Sequence, residues 1–166
     1  MDETHWDDDS TDAFLPFFLA GTWLAVPVSS VELIGVRQGL TALPYAPTRI
    51  VGLTNVERRT YPLLDLEHWL ELQASDELPD GMNERARTLV IRDGLCSAAF
   101  DTSNTMAVLR IGQAAIKPPT VIRNGRIQQY LIGEFDASFA RIGLINVALL
   151  LTDAQLHSAS AMTVNS

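Results

Sequence analysis

The sequence predicts an all-β protein with a few short helices, built from two related units. Two observations support this. Short apolar runs follow one another with turn signals between them, as is typical of barrels and sandwiches. In addition, a pattern near residue 50 recurs near residue 131. With 47% hydrophobic and 19% charged residues, the 166-residue chain has a globular rather than a disordered composition.

The strands of the first half are separated by a hairpin signal and by prolines. Ala20 and Gly21 stand where a hairpin turn is needed. Pro16 has no backbone N–H, so its run is expected at the edge of a sheet. Leu43–Pro47 contains two prolines and is predicted to be a loop. The predicted strands are Phe14–Leu19, Thr22–Val28, Val31–Val36, Ile50–Asn55 and Thr60–Leu66.

A short helix and a linker are expected next. Leu66, Trp69 and Leu70 lie at i, i+3 and i+4, so they share one face of a helix. We therefore expect one or two helical turns over Glu67–Leu72. Gln73–Arg85 then turns polar and contains the sequence Pro-Asp-Gly, which predicts a linker.

The pattern of strands and turns starts again after this linker. Gly94 marks a hairpin turn, and Asn124-Gly125 is a second strong turn signal. From Thr152 the chain is small and polar, which predicts a short helix with a frayed tail. The strands predicted here are Thr88–Ile91, Leu95–Phe100, Met106–Ile111, Tyr130–Phe135 and Ile142–Leu150, with a helical end as an alternative for the last.

An internal repeat with an offset of 81 residues underlies the two-unit prediction. Gly52 corresponds to Gly133 and Asp65 to Asn146, so a Gly and an Asx lie 13 residues apart in both copies. Each Gly allows a bulge or a close backbone approach, and each Asx side chain can cap a following helical turn. Because one copy alone buries little surface, the two copies are expected to pack together.

Charge and repeat together predict the domain organisation. The formal charge is -8, and residues 1–12 contribute -6 of it. The acidic balance argues against nucleic-acid binding and against docking on an anionic membrane. An acidic N-terminus is unlike a signal peptide, and the apolar runs are too short to span a bilayer, so we expect a cytoplasmic protein. The predicted segments are 1–12 as a disordered acidic tail, 13–75 as a first lobe, 76–85 as a linker, 86–151 as a second lobe and 152–166 as a helix or tail.

The search for chemical sites predicts no catalytic residue, no cofactor and no metal. The chain lacks phosphate-binding, dinucleotide-binding, zinc-protease and nucleophile-elbow motifs. The single cysteine, Cys96, lies in an apolar strand and is read as a core residue. A small enzyme using Asp65, His68 or Asp101 stays open as the less favoured alternative, provided that these side chains meet in one pocket.

One stretch resembles a known family. LPYAPTRIVGLTNVERRTYPLLDL is similar to the signature of CheW-like domains, in which Asn-Leu-Arg-Gly precedes Pro-apolar-apolar-Asp-Leu. YLIGEFDASFARIGLINVALLL resembles the family's C-terminal strand pair, and FDTSNTMAVL resembles its middle segment. The resemblance covers about residues 14–151. The residues at matching positions are Pro47, Gly52, Asn55, Pro62, Asp65, Leu66 and Asn146.

This resemblance implies both a fold and a function. The fold would be two five-stranded, SH3-like β-barrels packed side by side. The function would be that of a non-enzymatic adaptor. Its partners would be the regulatory domain of a chemotaxis-type histidine kinase and the cytoplasmic tip of a methyl-accepting chemoreceptor. Gly52, Pro62, Asp65, Gly133 and Asn146 would then be structural residues.

The sequence departs from the family at the signature itself. The family's Arg-Gly reads Glu57-Arg58 here and is followed by Arg59, unless the register slips by one and Arg58 takes the Arg role. We expect Glu57, Arg58 and Arg59 to form an interaction tip. The altered charge suggests a divergent adaptor, such as one from a type IV pilus motility system, or a domain that binds another signalling partner without a kinase.

A second candidate surface lies on the strand from Val31 to Val36. In CheW-like domains this strand borders the receptor-binding groove, so the resemblance implies that Val31, Ile34 and Val36 contact a partner. Simple core packing is the alternative for each of them.

Overall fold

The computed structural model describes residues 11–43, 49–72, 78–79, 81–83, 85–119 and 125–154. Two short α-helices, α1 (Leu66–Trp69) and α2 (residues 147–154), accompany the strands. The strands are β1 (Thr11–Leu19), β2 (Thr22–Pro27), β3 (Val31–Gly35), β4 (Gln38–Thr41), β5 (Ile50–Val56), β6 (Arg59–Leu64), β7 (Arg87–Asp93), β8 (Cys96–Thr102), β9 (Asn104–Thr105), β10 (Leu109–Gly112), β11 (Leu131–Asp136) and β12 (Arg141–Ile145).

The strands form two curled sheets of the same design. Lobe A has the order β3-β7-β8-β6-β5-β4, and lobe B has the order β10-β1-β2-β12-β11, with β9 added alongside β1. In lobe A the antiparallel hairpin β7–β8 joins the bulged pair β5–β6 through a parallel pairing of β8 with β6. In lobe B the hairpin β1–β2 joins the bulged pair β11–β12 through a parallel pairing of β2 with β12. The predicted all-β fold of two related lobes is therefore confirmed.

The two sheets do not follow the predicted division at residues 76–85. Lobe A is built from residues 31–102, whereas lobe B combines residues 11–27 with residues 104–145. The repeat is consistent with this arrangement, because a hairpin follows Asp65 and α1 in lobe A, whereas the part of the chain described after Asn146 contains α2 alone. The β1–β2 hairpin, which comes first in the chain, fills that place in lobe B.

The matched glycines and Asx residues of the repeat occupy equivalent positions. A bulge interrupts the β5–β6 register just before Gly52, and another interrupts the β11–β12 register just before Gly133. A Cβ on Gly52 would lie 2.3 Å from the carbonyl oxygen of Thr41, and one on Gly133 would lie 2.8 Å from Ile116 Cγ2. Both glycines therefore permit the close approach of a neighbouring segment.

The largest apolar core lies between the lobes. Along β1, Leu15, Phe17 and Leu19 belong to this shared core. On β7, Leu89 and Ile91 join it, while Val90 between them joins a smaller core inside lobe A. Lobe B has its own small core around Phe14, Phe135 and Ile142. Alternate residues of the central strands therefore pack into the shared core on one face of the sheet and into the lobe's own core on the other. The prediction that the two copies pack together is confirmed.

Several local expectations were wrong. The predicted acidic tail of residues 1–12 overlaps β1, which begins at Thr11. Pro16 is not at a sheet edge, because β1 pairs with β2 on one side and with β9 and β10 on the other. The proline fits there because β10 pairs with residues 11–14 and β9 with residues 17–18, so the ladder is interrupted at Pro16.

Other boundaries shifted. β4 and β9 were not predicted, since they are short and lack an alternating apolar pattern. The run Ile142–Leu150 divides into β12 and α2 at Asn146. The predicted loop Leu43–Pro47 and the predicted linker 76–85 lie partly outside the described residues. Residues 1–10 lie wholly outside them, and so do residues 155–166 of the predicted C-terminal helix or tail.

Candidate functional site

Glu57 and Arg58 form the exposed two-residue turn between β5 and β6. Both residues have positive φ angles, 50° and 69° respectively. Such a pair is typical of the tight hairpin turns that favour Asn-Gly. Here a carboxylate and a guanidinium occupy the turn, and both side chains are exposed. The predicted interaction tip is thus a solvent-facing corner of lobe A.

The apolar side chains of β3 become more exposed along the strand, from the shared core at Val31 to the surface at Val36. Val31 and Ile34 lie opposite Ile91 and Leu89, two residues of the shared core. Directly opposed side chains lie on the same face of a sheet. Val31 is partly buried against that core, Ile34 is 40% exposed and Val36 is 65% exposed. The core-packing alternative therefore fits Val31, while Ile34 and Val36 remain accessible.

The turn and the exposed end of β3 are neighbours. A Cβ on Gly35 would lie 3.1 Å from Val56 Cγ1 and 3.6 Å from Glu57 Oε1. Gly35 directly precedes Val36, so two of the sequence-predicted surfaces approach each other at one corner of lobe A, with Ile34 on the face of β3 opposite to this contact. Val31 lies at the opposite end of β3 and does not belong to this corner.

Polar contacts that were not predicted hold the exposed end of β3. The guanidinium Nε of Arg37 donates to both carboxylate oxygens of Asp101, at 3.1 and 3.0 Å. The hydroxyl of Thr88 donates to the same carboxylate at 2.9 Å. This bifurcated hydrogen bond, together with the Thr88 contact, links the chain just after β3 to β7 and β8. No sequence signal pairs Arg37 with Asp101, because they are far apart in the chain.

A second polar cluster lies at the other end of β3. Glu32 is largely buried and forms an ion pair with Arg92. Burial raises the pKa of Tyr61 above its usual value, and the nearby Glu32 carboxylate raises it further, whereas Arg59 lowers it. Arg59, which follows the turn directly, thus lies close enough to act on this cluster. An acidic residue within an apolar strand was the available sequence signal for Glu32.

Asp65 and Asn146 are helix caps, as predicted. The Asp65 carboxylate accepts the backbone N–H of His68 at 3.2 Å, and Asn146 Oδ1 accepts that of Leu149 at 3.1 Å. The other Asp65 oxygen contacts His68 Nδ1. This contact raises the pKa of His68 above its usual value of 6.5. The equivalent contacts place the two residues in structural roles.

The residues considered for catalysis are held in separate contacts. Leu64 and Phe100 are paired, so Asp65 and Asp101 each follow one member of this pair. Asp65, however, contacts His68, whereas Asp101 binds Arg37 and Thr88. Within the described residues, no group of three or more His, Cys, Asp or Glu side chains could hold a metal ion. No helix in that part of the chain is long and apolar enough to cross a membrane.

Comparison with known proteins gives a consistent result. A family model described as "CheW-like domain" matches residues 13–155. The curated chemotaxis protein CheW of Helicobacter pylori is 26% identical over 129 residues, which cover 77% of this chain and 75% of that protein. The crystal structure of scaffolding protein TtCheW from Thermoanaerobacter tengcongensis superposes with a TM-score of 0.69 at 17% identity. That match covers 83% of this chain and 86% of the other.

Proposed function

Because this chain belongs to the CheW-like domain family, we propose that it is a non-enzymatic adaptor in bacterial chemosensory signalling. In this proposal it couples the cytoplasmic tip of a methyl-accepting chemoreceptor to the regulatory domain of a chemotaxis-type histidine kinase. It would do so in the cytoplasm, where both of these partner segments lie.

The corner formed by Val36 and the Glu57-Arg58 turn is the main structural support for this proposal. It places the accessible apolar side chains of Ile34 and Val36 close to an exposed pair of opposite charges, Glu57 and Arg58. Arg37 and Asp101 brace the strand that carries them. A braced apolar surface beside charges is suited to protein docking, since apolar burial gives affinity and charge selects the partner.

We assign the two partners to different surfaces. The apolar face of β3 that borders the shared core would bind a helical receptor tip. The receptor helix would contact it through side chains spaced at i, i+3 and i+4. The ends of the barrel-like lobes would meet the kinase domain. Glu57, Arg58 and Arg59 would then tune which partner is accepted through attraction and repulsion.

The arrangement of the ionisable groups supports a role without catalysis. Asp65 caps α1, Asp101 braces β3, and Glu32 pairs with Arg92. Each carboxylate has a structural contact, and none of the three lines the clefts around Phe14, Cys96 or Trp23 in the described part of the chain. The enzyme alternative would need at least two of them to face one substrate.

Calorimetry with purified partner domains from the same genome tests the adaptor proposal. Ile34→Glu together with Val36→Glu should abolish binding of the receptor fragment, because a charge would be buried at the contact. Leu95→Glu serves as the matched control, since Leu95 is an exposed apolar residue at the far end of the β7–β8 hairpin. Equal affinities for the double variant and the control would refute the assignment of β3.

A double exchange tests the tip. Glu57→Arg with Arg58→Gly restores the family pattern and should change affinity for the kinase domain or the receptor fragment. If a pull-down recovers both partners unchanged, the turn belongs to neither interface.

A domain that serves another signalling partner without a kinase is the second candidate. The observation favouring it is the acidic side chain at Glu57 where the family carries Arg. Gene neighbourhood separates the two candidates, because an adaptor of the first kind should be encoded near a histidine kinase and a chemoreceptor. A pilus motility operon around the gene would place it in a type IV pilus system.

A further inference from the structure

Strand β3 contains one residue more than the facing part of β7 can pair. Val31 lies opposite Ile91 and Leu33 lies opposite Val90, so Glu32 is the extra residue of a β-bulge. In a regular strand, successive side chains point to opposite faces of the sheet. The bulge interrupts that alternation at Glu32, and it therefore decides which side chains of β3 share a face.

Because of the bulge, Val31 and Ile34 share a face although they are three positions apart. They lie opposite Ile91 and Leu89, which both belong to the shared core. Without an extra residue between them, positions 31 and 34 would point to opposite sides of the sheet. The face proposed above to bind a receptor thus joins an anchor in the core, Val31, to an accessible side chain, Ile34.

The side chain of Glu32 points to the other face of β3, toward the interior of lobe A. It forms an ion pair with Arg92, and it is only 12% exposed whereas Arg92 is 50% exposed. The next residue, Leu33, packs against lobe A's own core. The hydroxyl of Tyr61, which belongs to that core, interacts with the same carboxylate. The contacts that compensate for burying this charge therefore lie on the lobe A side.

A regular register would avoid the bulge, but glutamate is incompatible with it. If β3 paired regularly and Leu33 kept its place opposite Val90, Glu32 would lie opposite Ile91. Its carboxylate would then enter the shared apolar core and lose its ion pair, at a large cost. Val31 would move to the lobe A face at the same time.

We propose that Glu32 is a positioning residue for the partner-binding face of β3. Its paired, buried carboxylate excludes the regular register and so keeps Val31 on the same face as Ile34. This role rests on the receptor-binding function proposed for the strand, whereas the register is measurable on the protein alone. A failure of the one is therefore distinguishable from a failure of the other.

Thiol labelling of the full chain tests the register. The single cysteine is first removed by Cys96→Ser, and Val31→Cys is then introduced. We expect a slow reaction with a maleimide, because the position faces the shared core. Adding Glu32→Val permits the regular register and should accelerate the reaction about fivefold or more, as position 31 turns toward the half-exposed Arg92. Glu32→Thr is a second substitution with the same expected effect.

Deletion of Glu32 is the matched control, since it also removes the ion pair with Arg92. Without the extra residue, regular alternation itself places Val31 and Ile34 on one face, so Val31→Cys should stay slow. The exchanged pair Glu32→Arg with Arg92→Glu should keep it slow as well, because a buried charge still needs its partner. Acceleration in the deletion variant, or an unchanged rate in both Glu32→Val and Glu32→Thr, would overturn the proposal.

Protection by a purified receptor-tip fragment connects the register with binding. With Glu32 present, the bound fragment should protect both Val31→Cys and Ile34→Cys from the maleimide, whereas in Glu32→Val it should protect Ile34→Cys alone. Equal protection of Val31→Cys in both backgrounds would overturn the positioning role. Protection of neither position would refute the receptor contact of β3 and with it this role, while the labelling rates without the fragment would still report the register.

Discussion

Arg58 occupies a backbone conformation that glycine adopts at much lower cost. Its φ of 69° lies in the left-handed region, which costs an L-residue about 1–2 kcal/mol. The family's glycine at this position has no such penalty. An arginine retained under this strain suggests that its side chain is used for something other than folding.

Arg58→Gly should therefore raise the free energy of unfolding by about 1 kcal/mol, because part of the gain is lost to the added freedom of glycine in the unfolded chain. Urea denaturation followed by circular dichroism measures the change. The control is Gly39→Ala, at φ 70° with no atom near its Cβ position, which should destabilise by a similar amount. A loss of stability in Arg58→Gly would show that the arginine side chain stabilises the fold.

His68 should titrate above its usual pKa of 6.5, because the Asp65 carboxylate contacts its ring. The protonated ring then stabilises the folded state fully below pH 6.5, and this contribution is lost as the pH rises through the higher folded pKa. Proton NMR of the imidazole signals gives the value directly. In Asp65→Asn the pKa should return toward 6.5, and an unchanged pKa would contradict the assigned contact.

At the level of elements, the bulge glycines allow adjacent segments to approach. Gly52 has a φ of 156°, and the carbonyl of Thr41 on β4 lies where its side chain would begin. Gly52→Ala should therefore cost about 1–3 kcal/mol more than Gly39→Ala, since the edge strand must move. Thermal unfolding of both variants makes the comparison. Equal costs would mean that β4 shifts freely and contributes little to lobe A.

The elements also show what the sequence could reveal. The Gly-to-Asx spacing predicted both bulges and both caps, because these depend on a few neighbouring residues. The sequence did not predict that the β1–β2 hairpin belongs to lobe B, since the parallel pairing of Leu144 with Ala25 joins distant parts of the chain. For the same reason the candidate corner was predicted as two separate surfaces, while the Arg37–Asp101 brace was missed.

At the level of the whole molecule, the shared core makes the lobes depend on one another. The rings of Phe17 in lobe B and Phe100 in lobe A lie 5.3 Å apart across it. Phe17→Leu and Phe100→Leu should therefore show a coupling of about 0.5–1.5 kcal/mol in a double-mutant cycle of unfolding free energies. Pairing Phe17→Leu with Phe135→Leu, which lies in the separate core of lobe B, should be additive. Additivity in both cycles would mean that the lobes are stable independently.

The place of the β1–β2 hairpin in lobe B has a consequence for the nascent chain on the ribosome. Among the strands described, β1 and β2 are synthesised first, yet their partner strands β9, β10 and β12 emerge only after all of lobe A has been made. Meanwhile Phe14, Phe17 and Leu24, all buried in the finished structure, have no native lobe B surface to cover them. The hairpin therefore exposes apolar side chains while residues 31–102 are being synthesised. A chaperone that binds unfolded chains would protect this intermediate from aggregation.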